Sequence, residues 1–203
     1  GSWSYGCDGI CPGQTFVTRY GEPVLVRRVN ALPPVGSGKV PWAMPSFAIH
    51  THNGHQASES DGYPGDYADP GEFWDHHYPL FPAGFDKREI MATLWYHDHR
   101  LDFTAPNVYA GLSGFFLCYD DLDSGDENDP NPEAFRLPSG EFDVPLILHD
   151  VKFDQNGQCV WDFVNAHPVN SAEGTGGFSP SPTYTINGMV GDRFTVNRTI
   201  QPY

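Results

Sequence analysis

Two histidine pairs of the form His-x-His, His50-Thr51-His52 and His97-Asp98-His99, are the groups in this chain best placed to do chemistry. In a strand, side chains i and i+2 leave the same face, so each pair offers two imidazoles to one side. If the two strands lie side by side, four imidazoles converge. Histidine is the commonest nitrogen ligand, and imidazole suits copper, zinc, iron and nickel. A lone His-x-His carries little information. Two of them, each ending an apolar segment, predict a metal site built from His50, His52, His97 and His99.

The elements that must hold these groups read as short strands. Strands are expected over 14–20, 23–30, 45–51, 88–96, 114–119, 142–150 and from 183 to 187, with a short helix over 105–112. On the third strand His50 and His52 share a face while Phe47 and Ile49 take the other. On the fourth, Trp95, His97 and His99 share a face opposite Tyr96 and Asp98. Between them, 53–87 reads as one long loop rich in Gly, Pro, Asp and aromatics, and long ordered loops often carry function. The segment 142–150 is almost continuously apolar, as a buried strand would be. From 156 to 182 the chain turns rich in Gly, Ser and Pro and reads as a linker.

The flanks of the two pairs are specific. The first runs Phe47-Ala-Ile-His50-Thr-His52-Asn-Gly and then Ser60-Asp61-Gly62-Tyr63-Pro64; the second runs Leu94-Trp-Tyr-His97-Asp-His99 and then Asn107-Val-Tyr-Ala-Gly-Leu-Ser-Gly114. Together they resemble the first cupredoxin domain of the multicopper oxidases, in particular the branch of bacterial spore-coat laccases and bilirubin oxidases. That family carries His-x-His-Gly, and Trp-Tyr-His-x-His followed by Gly-Leu-x-Gly. The one departure is Asn53, where the family has glycine and Gly54 follows instead.

The resemblance implies an all-β fold, a cupredoxin-type Greek-key β-sandwich, and copper as the cofactor. It implies that His50 binds the type 2 copper of a trinuclear cluster and that His52, His97 and His99 bind the type 3 pair. Asp61 matches the family's acidic residue near the cluster, where proton delivery is its role; the bland reading is a turn residue in Ser-Asp-Gly. Tyr184-Thr-Ile-Asn-Gly188 resembles the opening of the family's second domain. The expected organisation is therefore a first domain over 1–155, a linker over 156–182, and the beginning of a second domain over 183–203. The family's His-x-x-His-x-His and His-Cys-His motifs, which complete the cluster and build the type 1 copper site, do not occur in these 203 residues. The partners implied are the remaining polypeptide that carries them, dioxygen and a small reducing substrate. With that rest elsewhere, 183–203 is expected to take its strand pairing from polypeptide outside these residues.

Two other classes compete: a His-rich zinc hydrolase, which needs a further ligand and an activated water, and a non-enzymatic copper-binding subunit. Composition narrows the field. A formal charge of −15 argues against nucleic acid and anionic membranes as partners. No segment reaches the apolar length of a membrane helix. The acidic run from Asp120 to Asp129 reads as a solvated loop. The pairing of Cys7, Cys11, Cys118 and Cys159 stays open, and a secreted or periplasmic location is expected. Asn197-Arg-Thr199 has the form of a glycosylation acceptor. His55, His76, His77, His149 and His167 read as surface or packing residues, Asp98 as structural, and Trp95 and Tyr96 as packing.

Overall fold

The computed structural model describes residues 1–161 and 183–191. The expected linker beyond Trp161, with His167, and the acceptor at Asn197 lie outside these residues. Among them the strands are β1 (Phe16–Arg19), β2 (Val24–Val29), β3 (Ile49–His52), β4 (Phe73–Tyr78), β5 (Thr93–Asp98), β6 (Ser113–Tyr119), β7 (Leu148–Val151), β8 (Thr183–Ile186) and β9 (Met189–Val190). One helix, α1 (Thr104–Ala110), joins β5 to β6. One sheet has the order β1-β6-β5-β3, a second pairs β2 with β4, and a third has the order β7-β8-β9.

The first two sheets face each other across the core. Alternate residues point inward: Ile49 and Thr51 from β3, Leu94 and Tyr96 from β5, Phe116 and Cys118 from β6, all buried. Tyr78 of β4 meets Phe116 of β6 edge-on at 5.4 Å between ring centroids. Phe16 of β1 lies edge-on against Tyr96 at 5.5 Å. Tyr96 sits opposite Gly114 in the β5–β6 ladder, and a Cβ on Gly114 would collide with its phenol ring. A glycine is needed there so that the ring can lie across the neighbouring strand. The hydroxyl then donates to the Gln14 carbonyl at 3.0 Å, fastening the N-terminal segment to the core.

Four expectations are corrected. The stretch 53–87 is not loop throughout, because β4 lies inside it and pairs antiparallel with β2 along six residues. Its polar letters hide a period of two, with His76 and Tyr78 buried and Asp75 and His77 outside. The strand expected over 88–96 begins later and ends later, at Thr93–Asp98, because Lys87–Glu89 forms a 3-10 turn capped by Asp86, whose carboxylate accepts from Arg88 N–H at 3.0 Å. Of 142–150, only β7 at its end is strand, and Val144 and Leu146 are exposed. Apolar letters do not make a strand where no neighbour runs alongside. Finally, β8 finds its ladder within the chain, against β7 on one side and β9 on the other. All four cysteines are thiols, and only Cys118, in β6, is buried.

Candidate metal centre

β3 and β5 are antiparallel neighbours, and their register places His50 directly opposite His97 and His52 opposite Trp95. The ladder continues past the strand end, where His99 N–H donates to the Ala48 carbonyl at 2.7 Å. The face turned away from the core thus collects the histidines, while Ile49, Thr51 and Tyr96 on the other face are sealed inside. The rings are mutually close. Centroids lie 5.4 Å apart for His50–His97 and His50–His99, 5.5 Å for His52–His97 and 5.7 Å for His97–His99. Ring nitrogens of His50, His52 and His97 all come within 4.8 Å of one another, close enough for one metal ion to be held by all three. His99 stands at the edge of this trio, and its Nδ1 is buried without a hydrogen-bond partner.

Hydrogen bonds fix which nitrogen is free. His50 Nδ1 is 2.7 Å from the Asp61 carbonyl and His97 Nδ1 is 2.7 Å from the Asp98 carbonyl. A carbonyl oxygen only accepts, so each Nδ1 carries the proton and each Nε2 keeps its lone pair for a ligand. His97 Nε2 in turn lies 3.2 Å from His52 Nδ1. Burial, opposed by the bond to Asp98 and reinforced by the neighbouring histidines, lowers His97 to about 4. It is neutral at pH 7, the state in which imidazole binds a metal.

Asp61 stands beside His50, its Oδ1 3.2 Å from His50 Nδ1. Gln56 Nε2 donates to the same oxygen at 2.9 Å. Behind Asp61, Gly62 has φ 74° and its Cα lies against the backbone of Ile49 and His50, where a Cβ would clash. The Asp61-Gly62 turn can therefore press against β3 only with glycine at 62. Gln56 has no signal of its own in the sequence.

Asp98 is fully buried and points away from the histidine cluster, as the alternation predicts. Its carboxylate accepts from Ala48 N–H at 2.8 Å, Arg100 N–H at 3.2 Å and Asn107 Nδ2 at 2.9 Å. Burial outweighs these bonds and pushes its pKa up to about 6. Asn107, on α1 and wholly buried, also donates to the Ser46 carbonyl at 3.0 Å and accepts from Met44 N–H at 2.9 Å. This network clamps the segment before β3, the end of β5 and α1 together. Trp95 leans on the site from the outside, its ring 4.2 Å from His97 and 5.3 Å from His52. Of the two roles open to it, surface or packing, His76 takes packing, buried on β4. His55, His77 and His149 stand apart from the trio of His50, His52 and His97.

No protein-family model matches the chain. It is 34% identical over 157 residues to a bilirubin oxidase of Albifimbria verrucaria, which covers 76% of this chain and 23% of the relative. It is 29% identical over 215 residues to a laccase of Bacillus stratosphericus, covering 99% of this chain and 38% of the relative. Among solved structures, a variant of the McoA multicopper oxidase from the hyperthermophile Aquifex aeolicus superposes with a TM-score of 0.51 at 28% identity, over 71% of this chain and 27% of that one. The chain spans well under half the length of these relatives, and the two facing sheets around the histidines are the all-β, cupredoxin-type sandwich that the resemblance implies.

Proposed function

Because the chain belongs to the multicopper oxidase family, we propose that it forms the N-terminal part of a laccase-like oxidase and supplies half of the ligands of a trinuclear copper cluster. The observation that carries this is the cross-strand meeting of His50 with His97, with His52 and His99 at its flanks. The donor set fits copper: it is all imidazole, His97 is held neutral, the Nδ1–H bond of His50 leaves its Nε2 free, and that of His97 turns its Nε2 lone pair toward His52. In this reading His50 holds the type 2 ion, and His52, His97 and His99 hold the type 3 pair.

When bound, copper supplies the electron transfer that reduces dioxygen to water, coupled to oxidation of a small reducing substrate. The chain's own residues do the rest. The Asp61 and Asp98 carbonyls orient the rings of His50 and His97. Trp95 packs over His52 and His97 and limits water on that side. Dioxygen reduction consumes protons, and Asp61, within reach of His50 and steadied by Gln56, is the group we assign to hold and deliver them. The remaining ligands and the type 1 copper belong to polypeptide bearing the His-x-x-His-x-His and His-Cys-His motifs. In the same reading 1–155 is the first domain, 156–182 the link and 183–203 the opening of the second domain, with β8 laid against β7. Among the described residues no helix is long and apolar enough to cross a membrane. A secreted or periplasmic location goes with this proposal and is checked by cell fractionation.

The test is metal competition. The intact oxidase, stripped of metal and offered copper and zinc in equal amounts, is expected to retain copper, and His50→Ala or His97→Ala to lower the copper bound per chain. Retention of zinc alone would overturn the proposal.

A further inference from the structure

The two arginines of β2 have opposite fates. Arg27 points outward and makes paired hydrogen bonds, both 2.7 Å, to Asp75 of β4. Arg28 points inward, between the sheets. Its guanidinium lies 4.6 Å from the ring centroid of Tyr96 and 5.2 Å from that of Phe16. Its Nε and Nη2 are buried with no hydrogen-bond partner. Among the described residues it takes part in no ion pair.

A guanidinium withdrawn from water keeps its charge. Stacking on aromatic faces offsets part of the lost hydration, but a charge left without a counter-ion in low dielectric remains costly. Arg28 also lines a cleft of about 360 Å³ that opens between β2 and the N-terminal segment. The floor is apolar, made by Phe47, Ile49 and Leu112, and Phe16 forms a wall. Ile49 separates this cleft from the histidines, whose side chains leave the opposite face of β3. The space is therefore distinct from the metal centre.

We propose that this cleft is a binding site for a small organic monoanion, a carboxylate with an aromatic or apolar body, anchored by Arg28. The guanidinium matches a carboxylate in charge and in its forked geometry. The floor and wall match an apolar body. Asp8 at the rim and the chain's −15 charge disfavour polyanions, so the site selects single charges.

Benzoate is the probe, with neutral benzamide as its near-isostere, titrated calorimetrically into the intact protein before and after metal is removed by a chelator. We expect saturable benzoate binding with Kd of about 1 mM or tighter, unchanged by metal removal, and at least ~10-fold weaker benzamide binding. Arg28→Met should abolish the benzoate preference and, with no ligand present, should not lower the melting temperature, because it removes an unpaired charge. Bound benzoate should also shift the Arg28 Nε–H resonance, which decides the matter in the wild-type protein if the variant does not fold. No binding, equal binding of benzamide, or binding that leaves that resonance in place overturns the proposal.

Discussion

The carboxylate of Asp98 and the side-chain amide of Asn107 meet at 2.9 Å, and neither residue exposes any surface. One lies between two candidate copper ligands and the other in the middle of α1, so a helix with no contact role at the site holds the end of β5 in place. Asn107→Ala removes the partner of Asp98 Oδ2, of the Ser46 carbonyl and of the Met44 amide at once. We expect a stability loss of about 3 kcal/mol in urea unfolding and copper affinity lowered by roughly 10-fold. Wild-type stability in this variant would show that the network is ornamental.

His97→Ala removes the most buried ligand. We expect it to abolish dioxygen reduction by the complete oxidase while leaving the blue thiolate-copper band, which arises from the other motif set. Loss of the band with turnover retained would reverse the assignment.

For Asp61→Asn, the charge and the proton capacity go but the hydrogen bond from Gln56 survives. Turnover should fall by about 10²-fold, with a changed pH profile and unchanged copper content. A variant with full activity at every pH would return Asp61 to the role of a turn residue.

Acid acts through His76 and, with the same sign, through His97. Burial, opposed by the bond of His76 to the Ser60 carbonyl and assisted by Arg28, lowers the His76 pKa from 6.5 to about 4. The unfolded chain therefore binds this proton more readily than the folded one. The contribution of neutral His76 is fully present above pH 6.5 and is lost as pH falls from 6.5 to about 4. The slope approaches about 1.4 kcal/mol per pH unit. Asp98, raised to about 6, has the opposite sign and offsets part of the loss. His76→Phe should flatten the acid limb of a stability-versus-pH curve measured by chemical denaturation. An unchanged slope would mean that His76 is already protonated in the fold.

Gly114→Ala tests the core. Its Cβ meets the Tyr96 ring, and overpacking of this kind costs about 1–3 kcal/mol. A melting temperature equal to wild type would show that Tyr96 has room to move.

Much of this was legible in the chain. The His-x-His pairs and their flanks mark β3 and β5, and the period of two assigns His50 and Ile49 to opposite faces. What escaped has physical causes. β4 reads Phe-Trp-Asp-His-His-Tyr, whose polar letters resemble a loop, and only its pairing with β2 reveals that His76 is core. Residues 142–150 look like a buried strand because their letters are apolar, yet burial depends on what lies alongside. The Asp98–Asn107 contact and the inward turn of Arg28 are tertiary facts that no local pattern carries.

Alternation along β5 has a further consequence for how this protein tolerates change. One residue inserted or deleted between Trp95 and His97 would turn the downstream face over, sending an imidazole into the hydrocarbon interior and a carboxylate out to the site. Folding and metal capture would fail together. Single replacements on either face disturb one task at a time. Lineages of this chain should therefore vary freely in length in the loops on either side of β5, and hold its own length fixed.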